Sequence, residues 1–226
     1  MDYATFYECF GASARTKNIT TLLRRLRRGR GLNHRTWHLP ARSALPREFI
    51  RLCPWEIEYL YVVARRAKLG IIETGRFNGG SCFLMACAAP DVPIHSIDIA
   101  PKDDALLRRL FQDNGVGQNV DLIVGDSQKT TYPQIGQVDL LFIDGDHSYD
   151  GCKNDLANWY PHLVGNGHLI LHDCYLGKWG VQDAVADMMA SHPELLVVQS
   201  PFIGSFYWNY PTGSLAQRPE GQPGWF

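Results

Sequence analysis

One short apolar run, cut off abruptly by charged groups, does most to limit what this chain can fold into. Val138 to Ile143 is rich in branched and aromatic residues and too short for a helix, so it reads as a buried parallel strand. It ends in Asp144-Gly145-Asp146-His147. Open α/β sheets bind their ligands at the carboxyl ends of such strands. A second run, His168 to Leu171, ends the same way, in His172-Asp173. If the two strands are neighbours, five polar groups able to bind protons or metal meet at one edge.

The surrounding chain alternates strand and helix patterns. Pro54 opens a helix, with Glu56 and Glu58 in its first turn and Ile57, Leu60, Tyr61 and Ala64 at helical spacing. Strands are then expected at 71–74, 94–99, 120–124, 138–143 and 167–171. Helices are expected at 79–89, 102–114, 149–163 and 179–191, the third of these open to early termination at Pro161. Leu195 to Gln199 and Phe206 to Trp208 read as closing strands, the last pair antiparallel. The expected fold is α/β: a Rossmann-like, doubly wound, mostly parallel seven-stranded sheet with an antiparallel edge strand. Residues 1–52 form a basic, helical or lid-like segment, 53–211 the sheet domain and 212–226 a Gly/Pro-rich tail that packs loosely.

Charge follows that division. Residues 1–69 carry 14 Lys/Arg against 5 Asp/Glu, and residues 70–226 carry 8 against 18. The one short basic run, Arg24 to Arg30, has no interleaved aromatics, so nucleic acid is not the expected partner. A solvated helix face, or a lid or dimer (homo-oligomer) contact over the active site, is expected there instead. The six cysteines show no zinc-type spacing and suit reduced core thiols in a cytoplasmic protein. No apolar run approaches the ~20 residues of a membrane span, and no export signal is read at the N-terminus.

Between the first strand and its helix stands Glu73-Thr-Gly-Arg-Phe-Asn-Gly-Gly-Ser81. Gly75 permits a sharp turn, and Gly79-Gly80 permits close backbone approach where the helix begins. The dinucleotide fingerprint GxGxxG is absent, because Phe77 occupies the place of its second glycine. A carboxylate at Glu73 suits a ligand with a cationic or hydroxyl-rich group better than a pyrophosphate. Asp98, at the end of the second strand, can accept both hydroxyls of a ribose. Asp126 and Ser127, after the third strand, can bond an adenine amino group.

Over roughly residues 54–210 this pattern resembles the class I S-adenosylmethionine-dependent methyltransferases. It is most similar to small-molecule and sugar O-methyltransferases carrying an Ile-Asp-Gly-Asp-His-x-Tyr segment, here Ile143 to Tyr149. The resemblance implies that Glu73, Gly75, Asn78, Gly79 and Ser81 wrap the methionine part of S-adenosyl-L-methionine. It places Asp98 at the ribose, and Asp126 and Ser127 by the adenine.

Metal-dependent relatives, including the catechol O-methyltransferase type, hold a divalent cation with an Asp after the fourth strand and a polar pair after the fifth. Matching positions here are Asp144, His172 and Asp173. Magnesium is the first expectation. The imidazole of His172, where those relatives usually carry an acid or amide, admits manganese, iron or zinc. His147 is the expected general base, with Asp146 as substitute or orienter. Asp146 or Ser148 is expected to cap the following helix. The implied acceptor is a hydroxyl of a sugar or glycoside first, of a phenol or other natural product second. Two rival readings are a nucleotide-dependent oxidoreductase on the same sheet and a binding module without chemistry.

Overall fold

A computed structural model describes residues 49–52, 54–129, 132–174, 180–193, 195–199 and 213–217. Five parallel strands form the body of the sheet: β1 (Ile71–Thr74), β2 (Ile94–Asp98), β3 (Val120–Val124), β4 (Val138–Ile143) and β5 (Leu163–Leu171). Their spatial order is β3-β2-β1-β4-β5. The chain therefore winds outward from β1 in one direction, then restarts at β4 in the other. The crevice between the carboxyl ends of β1 and β4 is the switch point at which such sheets bind ligands.

Consecutive strand residues serve opposite faces. Ile71, Leu140, Phe142 and Ile170 join one core with the helices α1 (Pro54–Ala64), α2 (Gly80–Ala88) and α3 (Asp104–Asn114). Ile72, Leu141, Ile143, Leu169 and Leu171 join the other, beneath α4 (Tyr149–Trp159) and α5 (Val181–Ser191). Burial on both faces is why these strands read as continuous apolar runs rather than alternating ones. The amino end of β4 is fixed by Asp139, whose carboxylate accepts from the Lys68, Leu69 and Gly70 backbone N–H groups at 2.6, 3.2 and 3.4 Å.

Most element boundaries fall within two residues of those expected. Asp103 caps α3 by accepting from Leu106 N at 2.9 Å, and Ser148 caps α4 by accepting from Gly151 N at 3.0 Å. The largest departure is at β5, which starts at Leu163 rather than Gly167. Pro161 ends α4 in a single 3₁₀ turn, Tyr160–His162. The freed chain then pairs at once with Val138, with a register irregularity before Leu140. Beyond β5, the backbones of β6 (Leu195–Gln199) and β7 (Gly213–Gln217) pair antiparallel, and β7 lies against β5. The stretch read as a loose tail thus includes backbone that joins the sheet, while Phe206–Trp208 and residues 1–48 lie outside the described residues. Cys82, Cys152 and Cys174 are buried and Cys87 is half-buried. No helix among the described residues is long and apolar enough to cross a membrane.

Candidate active site at the switch point

Register delivers the reactive groups. Thr74 pairs with Ile143, and Ile143 with Leu171. Asp144 and His172, the next residues on their strands, therefore leave the sheet side by side, tied back by Asp144 N to Thr74 O and His172 N to Ile143 O, each at 2.9 Å. Asp144 Oδ1 lies 2.9 Å from His172 Nδ1 and 3.1 Å from His147 Nε2. Asp173 Oδ2 lies 3.5 Å from His172 Nδ1 and 3.7 Å from His147 Nε2. On the far side of the His172 ring, Glu56 Oε2 of α1 stands 3.6 Å from Nε2. Asp173 is held at φ 55, a conformation that favours glycine, so its place at the edge is maintained against local strain.

Electrostatics bind the cluster together. Burial lowers the His172 imidazole, but Asp144 and Glu56 outweigh it and push the group up to about 11. Burial raises the Asp144 carboxyl, yet the His172 and His147 imidazoles hold it below the ordinary carboxylate range. Asp173 is raised, chiefly by burial. Three carboxylates around one imidazole call for positive charge, from a proton or from a cation. His172 Nδ1 fits the second. It is buried 2.9 Å from Asp144 Oδ1 without an aligned hydrogen bond to it, a place that a cation shared with Asp144 would satisfy by displacing the proton. Among the described residues, Asp144, His147 and His172 each offer one ligand atom, all within 4.8 Å of one another. Two nitrogens and an oxygen suit a divalent transition ion at least as well as magnesium.

The neighbouring loop makes the second half of the crevice. Gly75 at φ 81 presses on the end of β4: a Cβ there would stand 2.1 Å from Asp144 O. Gly79 at φ 82 caps α2, and a Cβ there would meet Leu107 Cδ2 at 2.5 Å. Asn78 sits in the turn between them. Asp98 accepts from Phe77 N at 2.8 Å and Ala100 N at 2.7 Å, which fixes its carboxylate at the end of β2 beside the exposed side chains of Phe77 and Ile99. Asp126 accepts from Gln128 N at 3.1 Å and pairs with Lys129 at 2.9 Å; both contacts hold its carboxyl below its usual range. The Ser127 carbonyl accepts from Trp159 Nε1 at 3.0 Å and Asn158 Nδ2 at 2.9 Å.

Not every expected residue faces the crevice. Glu73 is fully buried and accepts from the Ser81 and Ser96 hydroxyls. Burial pushes its carboxyl up to about 7, against those two hydrogen bonds. Glu73 and Ser81 therefore hold the loop from beneath. Asp146 accepts from Ser148 N at 2.9 Å and Gln128 Nε2 at 3.3 Å, so it shapes the entry to α4.

Three further residues were not singled out from the sequence. Arg76 is 2% exposed; it donates to the Ser96 and Ile123 carbonyls at 2.6 and 2.9 Å and grips both Asp104 oxygens at 2.8 Å. Asp155, buried on α4, accepts from Thr74 Oγ1 at 3.0 Å, and burial pushes it up to about 6. Its one sequence signal is a carboxylate on the same helical stripe as Cys152, Leu156 and Trp159. Glu56 is the third, and it shares the stripe of Leu60 and Val63.

Comparison with known proteins agrees with this geometry. Residues 72–174 match a family model described as a methyltransferase domain. An uncharacterized protein of Acanthamoeba polyphaga mimivirus is 29% identical over 148 residues, 59% of this chain and 67% of its own. Catechol O-methyltransferase of Mycobacterium tuberculosis is 28% identical over 155 residues, 62% of this chain and 68% of its own. The Podospora anserina methyltransferase PaMTH1, solved with SAH bound, superposes with a TM-score of 0.61 at 19% identity, covering 92% of this chain and 97% of that one. Sheet order, switch-point loop and matched segment coincide: residues 72–174 match a methyltransferase-domain model, and the chain has the α/β Rossmann-like methyltransferase fold.

Proposed function

We propose that this protein moves the methyl group of S-adenosylmethionine onto a hydroxyl of a small molecule, a sugar or glycoside before a phenol, with the help of a divalent cation. The observation that supports this most is the convergence of Asp144, His147, His172 and Asp173 beside the Gly75 turn. The likeness to a catechol O-methyltransferase supports oxygen as the acceptor atom.

A sugar hydroxyl is a weak acid, so transfer needs the oxygen held in line with the donor methyl and its proton removed. Asp144, His172 and Asp173 are the cation ligands, and a cation bound there supplies orientation and offsets negative charge developing on the oxygen. His147 takes the hydroxyl proton at a ring nitrogen, with Asp144 fixing the ring. Gly75, Asn78 and Gly79 receive the methionine part of the donor, Asp98 the ribose, and Asp126 with Ser127 the adenine. Glu73 and Ser81 support that loop from below.

Two measurements test the reading. S-adenosylhomocysteine is expected to raise the melting temperature and NADH to leave it unchanged; the opposite result would favour the oxidoreductase. His147→Ala is expected to lower turnover by roughly 10²–10⁴-fold while S-adenosylhomocysteine affinity stays put. Unchanged turnover with every accepted substrate removes His147 as base. The distances also favour a second role, since His147 Nε2 is near enough to Asp144 and His172 to be a ligand itself. That role predicts a loss of cation affinity in the same variant, which the base role does not.

A further inference from the structure

We propose that Glu56 is a positioning residue that holds His172 as a cation ligand, acting through the ring nitrogen opposite the one facing Asp144. The inference rests on the reading of the Asp144–His172 cluster as a cation site. His172 has two nitrogens with different surroundings. Nδ1 faces Asp144 Oδ1 at 2.9 Å and Asp173 Oδ2 at 3.5 Å, and Nε2 faces Glu56 Oε2 at 3.6 Å. A carboxylate accepts and does not donate. Placed against Nε2 it keeps a hydrogen there, so that a cation displacing the proton between Nδ1 and Asp144 would meet the Nδ1 lone pair. A carboxylate behind a ligating histidine fixes the ring's orientation and makes the ligating nitrogen more basic.

The placement of Glu56 argues against a purely local role. An acid in the first turn of a helix ordinarily interacts with the helix dipole from solvent. Glu56 is instead 6% exposed, and it lies on the α1 stripe that Leu60 and Val63 bury against the sheet. Ile170 of β5, two residues before His172, belongs to the same core cluster. The contact therefore links a helix outside the matched methyltransferase segment to a ligand inside it.

The test is Mn²⁺ binding by the full chain, followed by electron paramagnetic resonance to millimolar affinity, for Glu56→Gln, Glu56→Leu, His172→Asn and the double variant Glu56→Gln/His172→Asn. Glu56→Gln is expected to weaken Mn²⁺ roughly tenfold and Glu56→Leu up to about a hundredfold, with S-adenosylhomocysteine affinity measured without cation unchanged. Because Glu56 acts through His172, adding Glu56→Gln to His172→Asn is expected to cost nothing further. Additive losses, or single variants within twofold of the wild type, overturn the proposal. A wild type that binds no Mn²⁺ overturns the cation reading and this assignment with it. If Glu56→Leu does not fold, Glu56→Gln and the double variant decide.

Discussion

Asp144→Asn combined with Asp173→Asn is expected to abolish cation-stimulated turnover, a loss of roughly a thousandfold or more. Both amides keep the shape of the side chains, so the register that brings Ile143 and Leu171 together is left intact. What goes is negative charge. Asp144 Oδ1 is the atom nearest both His147 and His172, and Asp173 Oδ2 is the next shared oxygen. Without them, the proposed cation site loses both of the carboxylates that would hold a dication there. Chelation of the wild type with EDTA should reproduce the loss, and added Mg²⁺ or Mn²⁺ should restore it in the wild type alone. A wild type fully active in EDTA would show that the cluster works without metal.

The second large effect is on stability. Arg76→Met is expected to destabilise the fold by about 3–5 kcal/mol, the range for breaking a buried ion pair on one side. That corresponds to a fall in melting temperature of roughly 6–20 °C for a chain of this size. The guanidinium is buried, ties the Ser96 and Ile123 carbonyls, and makes a two-pronged pair with Asp104. It thus joins the β1 turn, β2, β3 and α3 at one point. Methionine fills the volume but leaves two carbonyls and a half-buried carboxylate without a donor. Lysine restores charge without the planar fork, so Arg76→Lys should recover only part of the loss. Denaturant unfolding checks this; a change under 1 kcal/mol would mean that water replaces the guanidinium at little cost.

The sheet was readable because its strands are buried on both sides. Runs such as Ile71-Ile72 and Leu140 to Ile143 have no other reading at their length, and the ends of the parallel strands fell where Asp98, Gly125 and Asp144 interrupt them. The start of β5 was less legible: Val164-Gly-Asn-Gly167 looks like a turn, yet Asn166 at φ 69 carries the chain through it as an irregular strand. Asp144, His147, His172 and Asp173 could be foreseen because strand ends in this sheet type share an edge. Arg76, Asp155 and Glu56 could not, since each acts through a partner distant in sequence, at Asp104, Thr74 and His172. A charged residue on an apolar stripe is the one trace that such partners leave in a sequence.

The contact between Gly75 and the Asp144 carbonyl carries a thermodynamic consequence. A Cβ at Gly75 would stand 2.1 Å from the Asp144 carbonyl oxygen, so the two backbones lie against each other. Under the proposed function, a donor that settles the β1 turn would also settle the strand end that carries Asp144. Linkage makes the effect mutual: whatever factor the donor adds to cation affinity, the cation adds to donor affinity. Under the proposed function, the donor and cation sites would meet where Gly75 lacks a side chain.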